Sequence, residues 1–416
     1  MVFSEIIIGD SREMREVKDE SIDLVVTSPP YWHIKDYGTP GQIGYGQSLH
    51  EYLKNLYVVW KECFRVLKPG TRLCINIGDQ FLRSIIYGRY KIAPIHAEFI
   101  SQCEELNFDY MGSIIWQKKT TMNTTGGASV MGSYPHPPNG IIEMDYEFIL
   151  IFKKQGKKTA TMEIKEKSKL TKEEWKEYFL GHWYFNGEKQ DKHIAMFPEE
   201  LPKRLIKMFT FVGDVVLDPF LGSGTTNKVA LNLNRNSIGY EINEEFLPVI
   251  KEKIGMTNLV SVTNKLKIIK RDEEFELKNN INYIPSIQDA KPVISPEKFK
   301  FEKERLYKVV EIMDGSTIKM DTGLVVKLLG IKIIPDKINE AKKYLDEYVN
   351  GKQVFLKFDS LFKPENENDE VPAYVYLKNK IFINKEMIKQ GFSGIGEYNF
   401  KYKNKFMILE KADVQK

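Results

Sequence analysis

The sequence is poor in cysteine and has no long apolar run. Cys63, Cys74 and Cys103 are its three cysteines in 416 residues. An odd number of widely spaced cysteines argues against a disulfide framework, and none has zinc-ligand spacing. The expected compartment is reducing, and cytoplasmic. No apolar stretch approaches the roughly 20 residues of a bilayer-spanning helix. The opening "MVFSEIIIGD" lacks the basic and apolar regions of a secretory signal, so none is expected. A strong charge of one sign is also missing. Sixty-one Lys and Arg stand against 57 Asp and Glu, a net +4, which permits a nucleic-acid partner without demanding one. There is no internal repeat or low-complexity tract.

What is present is an alternation of short apolar runs and helical patterns. Ile22–Thr27, Arg72–Ile77, Gly112–Trp116, Tyr146–Phe152, Asp214–Leu217 and Ser237–Tyr240 have the length and β-branched content of buried strands. Between them, His50–Leu67 places Leu53, Leu56, Tyr57, Trp60, Phe64 and Leu67 on one helical face, and Glu199–Phe209 is a second helix. Strand–helix alternation predicts an α/β domain with a mainly parallel sheet over residues 1–263. Residues 264–304 are charged, with scattered prolines, and read as a connector. Residues 305–416 return to short strands and amphipathic helices, the pattern of a small α+β domain.

Two stretches carry chemistry. In "VVLDPFLGSGTTNKVAL" an apolar strand ends at Asp218, and Pro219, Phe220, Gly222, Gly224 and Thr225 form a glycine loop running into a helix. Glycines let the backbone bend tightly and approach a ligand, and amides at a helix start suit a carboxylate. Glu241, ending the next strand in "NSIGYEIN", is placed to accept hydrogen bonds from two ribose hydroxyls. The loop is neither the phosphate loop with its Lys-Ser/Thr nor the full GxGxxG fingerprint. A nucleoside with an amino-acid tail fits better than a nucleoside triphosphate or a nicotinamide. The second stretch is "VVTSPPYW", a strand followed by Ser28, Pro29, Pro30 and Tyr31. Consecutive prolines fix a turn, so a hydroxyl, a carbonyl and a ring are presented in set positions.

"DPFLGSGTT" with "GYEI" resembles the S-adenosylmethionine motif of amino-methylating DNA methyltransferases, and "TSPPYW" resembles their catalytic motif. The catalytic motif precedes the cofactor motif, the permuted order of the beta group. "IIIGDSREM" resembles the strand whose acidic residue, here Asp10, reaches the cofactor adenine. "HIAMFPEELPKRLI" resembles the helix before the cofactor loop, matching at His193, Phe197 and Pro198, and "YEFILIFKK" matches a late strand. The resemblance covers roughly residues 5–255. It implies a Rossmann-like S-adenosylmethionine-dependent domain that acts on double-stranded DNA, as a monomer or dimer, with a cognate restriction endonuclease as partner and no membrane or metal.

The residue chemistry agrees with that implication. An exocyclic base amine is a poor nucleophile because its lone pair is delocalised into the ring. Acceptors such as Ser28 Oγ and the Pro29 carbonyl draw its N–H groups toward sp³ geometry, and preset acceptors avoid reorganisation. Tyr31 stacks on a base flipped from the duplex. Ring-carbon methylation needs a Pro-Cys nucleophile, which this chain does not have. Within the family, Ser at the first motif position is typical of cytosine N4 methylation. Adenine N6 methylation is the alternative. A DNA-binding protein without catalysis is the alternative of another class, opposed by the intact motifs.

Two further segments bear on DNA. The Lys119–Gly140 loop, rich in Gly, Ser, Thr and Pro, includes Asn123, Tyr134 and His136 and is expected to border the cleft. Residues 153–192 occupy the family's target-recognition position, with Lys157 and Lys158 as phosphate contacts and Trp183 and Tyr184 either packing the segment or meeting DNA. Helix Thr171–Tyr178 reads as a solvated face.

"VVEIMDGSTIKMDTGLVVKLLGIKI", "AKKYLDEYVNGKQVFLKFD" and "PAYVYLKNKIFINKEMIKQGF" resemble the staphylococcal-nuclease fold, an OB-type barrel with helices. Nuclease activity there needs carboxylates for calcium and two arginines. Asp314 is kept, but Ser316 stands at a metal-ligand position, Lys327 at an arginine position, Lys332 at the next carboxylate, and Glu370 near the second arginine. The general-base region around Ile334–Asp336 is altered as well. A lysine at a dication site opposes metal binding, so the expected module is nuclease-dead.

Overall fold

The apolar runs of the first 270 residues assemble into one nine-stranded sheet. The computed structural model describes residues 2–32, 39, 41–118, 137–140, 142, 144–187, 197–255, 264–271, 275, 281–294, 298–299, 306–359 and 370–413. In chain order the elements are β1 (Val2–Ile8), β2 (Ile22–Thr27), α1 (Leu49–Val66), β3 (Leu67–Ile77), β4 (Gln80–Leu82), α2 (Ser84–Tyr87), β5 (Lys91–Ala93) and α3 (Ile95–Glu105). Then come β6 (Phe108–Gln117), β7 (Tyr146–Lys154), α4 (Met162–Lys167), α5 (Lys172–Tyr178), β8 (His182–Tyr184) and α6 (Glu200–Phe209). The series closes with β9 (Val215–Asp218), α7 (Thr225–Asn232), β10 (Asn236–Glu241), α8 (Leu247–Lys253) and β11 (Asn264–Lys270).

The sheet order is β11-β1-β10-β9-β2-β3-β7-β6-β8. Only β7 runs against its neighbours. Every residue of β2 is buried, because it lies mid-sheet between β9 and β3 with both faces covered. Helix α1 starts at a capping box between Ser48 and Glu51, and its buried stripe includes Leu49, Leu53, Leu56 and Trp60. On the other face, Leu201, Leu205 and Ile206 of α6 pack with Leu24, Val26, Cys74 and Val216.

The chain divides into two compact units, Met1–Gln80 with Ala93–Ala290, and Phe81–Ile92 with Lys291–Lys416. This corrects the expected connector of residues 264–304. Asn264–Lys270 is strand β11, paired in parallel along β1. Its lysines hide the strand pattern, since an edge strand carries charge where a central one cannot. The following Arg271 ties down the loop after β1, donating to Glu16 Oε1 at 2.7 Å and to the Asp10 carbonyl at 3.0 Å. Tyr283 and Ser286 both donate to Glu98, which is fully buried.

A second correction concerns Lys158, expected at a phosphate. Its ammonium bridges Asp23 at 2.8 Å and Asp214 at 2.5 Å, near the start of β2 and just before β9. Lys68 joins Asp23 at 2.8 Å. Burial raises both carboxyls, but the bonds from Lys158 and Lys68 still hold Asp23 below its usual value. Asp214 ends above its usual value. In the target-recognition segment, Trp183 is buried in the core while Tyr184 is exposed.

The second unit is a closed five-stranded barrel in the order β12-β13-β14-β17-β16. Its strands are β12 (Leu306–Ile312), β13 (Thr317–Met320), β14 (Val325–Leu328), β15 (Ile331–Ile333), β16 (Gln353–Lys357), β17 (Glu370–Leu377) and β18 (Ser393–Ile395), with β15 and β18 paired separately. Its helices are α9 (Ile338–Tyr348), α10 (Ile383–Lys389) and α11 (Lys403–Asp413). Ile86 of α2 lies in this unit's core with Val309, Val326, Leu345 and Phe406. The Ile86 carbonyl accepts from Val293 N at 2.7 Å. A segment that follows β3 in sequence is therefore part of the barrel unit, which no local pattern announces.

Candidate active site

Parallel neighbours end at one sheet edge, so β2 and β9 deliver their last residues side by side although the chain separates them by nearly half its length. Thr27 Oγ1 donates to Asp218 Oδ1 at 2.8 Å, joining the two motifs directly. Asp218 also accepts from Thr226 Oγ1 at 2.6 Å and from Phe220 N at 3.0 Å. Burial pushes its carboxyl up to about 6 against these three bonds. Asp218 is thus the buried tie that shapes the loop from below.

Gly222 and Gly224 both take left-handed backbone, with φ of 53° and 88°. At Gly222 no atom lies within 4 Å of where a Cβ would stand, while a Cβ at Gly224 would meet Ile250 at 3.2 Å. Gly222 therefore faces open space, and Gly224 seats the loop on α8. Gly222 N donates to Glu241 Oε2 at 2.8 Å, and Asn243 N to Glu241 Oε1 at 2.9 Å. Burial pushes the Glu241 carboxyl up to about 7. Pro219 is buried. Phe220 meets Trp60 edge-on at 6.5 Å. Phe197 is half-buried against the core beneath α6. Thr225 opens α7, and its hydroxyl receives Lys253 Nζ at 2.6 Å, a cation that sequence reasoning missed.

Asp10, expected at the cofactor adenine, is paired with Arg12. Its carboxylate receives Arg12 N at 2.8 Å and Arg12 Nε at 3.0 Å, and Arg12 Nη2 at 2.5 Å. Arg12 also donates to Gly41 O at 2.9 Å and lies over Phe275 at 4.6 Å. A cofactor adenine would compete with Arg12 for these oxygens.

The turn after β2 is braced from several sides. Tyr52 OH donates to the Pro30 carbonyl at 3.0 Å, Gln80 Nε2 donates to the Trp32 carbonyl, and Trp32 Nε1 donates to Gln47 O at 2.8 Å. Pro29 is buried and Ser28 is half-buried. Among the described residues, the Pro30 and Trp32 carbonyls are committed, whereas Ser28 Oγ and the Pro29 carbonyl are not. Tyr31 OH donates to Glu147 Oε1 at 2.6 Å. Glu147 was not singled out in the sequence, although a carboxylate inside the apolar strand "YEFILIF" is a signal, since buried charge needs a purpose. His193, Asn123, Tyr134 and His136 lie outside the described residues.

The arrangement fits S-adenosylmethionine. The open glycine turn and the first turn of α7 suit its carboxylate, and Glu241 suits its ribose. In the second unit, Asp314 accepts from Ser316 N at 2.6 Å, Lys332 pairs with Glu397 at 2.7 Å, and Lys327 with Glu370 at 3.6 Å. Among the described residues no group of three or more His, Cys, Asp or Glu could hold a metal ion.

Comparison with known proteins agrees with this geometry. A DNA methylase family matches residues 22–252, and a staphylococcal nuclease homologue family matches residues 335–415. Type II methyltransferase M.MjaI of Methanocaldococcus jannaschii is 40% identical over 281 residues, covering 60% of this chain and 91% of the relative. Type II methyltransferase M.MthZI of Methanothermobacter thermautotrophicus is 34% identical, covering 66% of this chain and 82% of the relative. A Thermus thermophilus structure described as a putative DNA modification methylase complexed with S-adenosyl-L-methionine aligns at 35% identity and TM-score 0.52. It covers 65% of this chain and 100% of that one. With more than half of its length matched by one family and a 40% identical relative spanned almost end to end, the chain belongs to the N6/N4 DNA methylases and uses S-adenosylmethionine.

Proposed function

We propose that the protein transfers a methyl group to the exocyclic N4 amine of cytosine in double-stranded DNA. Within a restriction-modification system it would protect the site cut by a cognate endonuclease, as the Type II names of its relatives imply. The observation that carries the reading is the pair of uncommitted acceptors, Ser28 Oγ and the Pro29 carbonyl, on a turn whose Pro30 and Trp32 carbonyls are held. S-adenosylmethionine, when bound, supplies a sulfonium methyl that needs no metal activation.

Ser28 and Pro29 accept the two N–H groups of the flipped amine and localise its lone pair. Because the prolines and Tyr52 hold the turn, this costs little reorganisation at the moment of reaction. Tyr31 supplies the stacking face. Gly222, Gly224, Thr225 and Glu241 hold the cofactor, with Asp218, Pro219 and Phe220 shaping the loop and Phe197 supporting it from α6. Asp10 contributes through Arg12, which fixes the loop after β1. Ser28 at the first motif position, typical of cytosine N4 methylation within the family it resembles, favours cytosine. Adenine N6 is the second reading, because the two amines have nearly the same chemistry.

The C-terminal barrel is proposed to be inactive as a nuclease, because lysines stand at two of its metal or phosphate positions and pair with Glu370 and Glu397. Calcium-dependent cleavage by the purified chain would overturn that part. For the methylase, transfer of tritiated methyl into duplex DNA is expected for the native chain. Ser28→Ala is expected to reduce turnover about 100-fold while leaving cofactor affinity unchanged. If Ser28→Ala chiefly weakens cofactor binding, Ser28 does not meet the base.

A further inference from the structure

We propose that Glu147 is a positioning residue for the target base, acting through Tyr31. Glu147 lies at the start of β7, and the residue is 7% exposed overall with partners on both carboxylate oxygens. Oε1 accepts from Tyr31 OH at 2.6 Å and from Lys118 Nζ. Oε2 accepts from Asn76 Nδ2 at 2.7 Å. Asn76 lies on β3, Lys118 directly follows β6, and Tyr31 follows β2, so one carboxylate ties together parts of four strands. The close fit extends to the backbone: a Cβ on Gly78 would stand 3.3 Å from Glu147 Cγ and 3.9 Å from the Tyr31 ring.

The physical consequence concerns the ring of Tyr31. A tyrosine tethered only at its Cα rotates about two side-chain torsions. Fixing the hydroxyl at the far end removes that freedom and sets the ring plane before a base arrives. A stacking platform works through its orientation, so presetting it lowers the entropy lost when the flipped base docks. Lys118 neutralises Glu147, which makes a buried charge tolerable next to the base pocket. Lys118 also lies 5.3 Å over the Trp116 ring, so its own position is held. This inference rests on the reading of Tyr31 as the stacking residue.

The test is a double-mutant cycle on the full chain with Glu147→Gln, Tyr31→Phe and the pair together. Each variant is read by kcat, by KM for duplex DNA, and by 2-aminopurine fluorescence at the target base. Tyr31→Phe keeps the ring and removes the hydroxyl that Glu147 holds. We expect each single change to lower kcat by roughly tenfold and to alter the stacking signal of the flipped base, with cofactor affinity near native. Tyr31→Phe also keeps the melting temperature near native, whereas Glu147→Gln, which leaves Lys118 without its counter-charge, lowers it. The double variant should be no worse than Glu147→Gln alone, which marks one shared interaction. Additive losses, or a Tyr31→Phe enzyme with native kcat and fluorescence, would overturn the proposal. If Tyr31→Ala in the same assay leaves both turnover and base stacking at native levels, the underlying assignment of Tyr31 is what fails.

Discussion

At the residue scale, Glu241 carries a consequence for pH. Its carboxyl is pushed up to about 7 by burial, above the usual value of 4.5. Without cofactor, the folded chain therefore binds a proton there that the unfolded chain has already lost between pH 4.5 and 7. This group adds stability as pH falls from about 7 toward 4.5, and the contribution is gone above 7. In the proposed role of Glu241, ribose hydroxyls donate to the ionised form. Cofactor binding should therefore release a proton near neutrality, and affinity should fall as pH drops below about 7. Calorimetry in buffers of different ionisation enthalpy checks this. Equal heats in every buffer just below neutrality, with Kd flat across the neutral range, would contradict the role of Glu241.

At the element scale, β2 and β9 are held at both ends. Their C-terminal ends share the Thr27–Asp218 bond, and Lys158 clamps Asp23 and Asp214 near their beginnings. Removing Lys158 leaves two carboxylates with less compensation. Lys158→Met should destabilise the first unit by roughly 3–5 kcal/mol, read from urea unfolding. The loss should be greatest near neutral pH. Asp23 is held below its usual value, so its contribution is present above that value and disappears as pH falls through the depressed one. A native unfolding midpoint for Lys158→Met would show the clamp to be inert.

The same elements show what was legible in the sequence. Buried central strands such as "IDLVVT" announce themselves because the run of Leu24, Val25 and Val26 puts apolar side chains on both faces. The glycine loop and "TSPPY" are equally plain, since backbone needs dictate Gly and Pro. The edge strand β11 was missed because its three lysines run on into the charged "RDEEFE" that follows, so the whole segment reads as a linker. Arg12, Lys253 and Glu147 were missed because their roles depend on which distant segments the fold brings beside them, and spacing carries no record of that. Lys158 was misread for the same reason: a surface-like lysine in a basic run becomes a buried bridge once Asp23 and Asp214 are brought to it.

At the scale of the whole molecule, the barrel unit takes part of its core from residues 81–92, which lie between β3 and α3 in sequence. A chain cut after Ala290 would leave Ile86 without that core, so the barrel is not a simple appendage. Ile86→Ala should lower the stability of the second unit by roughly 2–4 kcal/mol, visible as a shifted melting transition. An unshifted transition would mean that α2 is not part of the barrel core. No described helix is long and apolar enough to cross a membrane.

The central claim is methyl transfer to a cytosine amine on the Ser28 turn. The most direct test incubates the chain with labelled S-adenosylmethionine and mixed-sequence duplex DNA, digests the product to nucleosides and identifies the labelled base by mass spectrometry. The account predicts N4-methylcytosine. Label found in N6-methyladenine instead would contradict it.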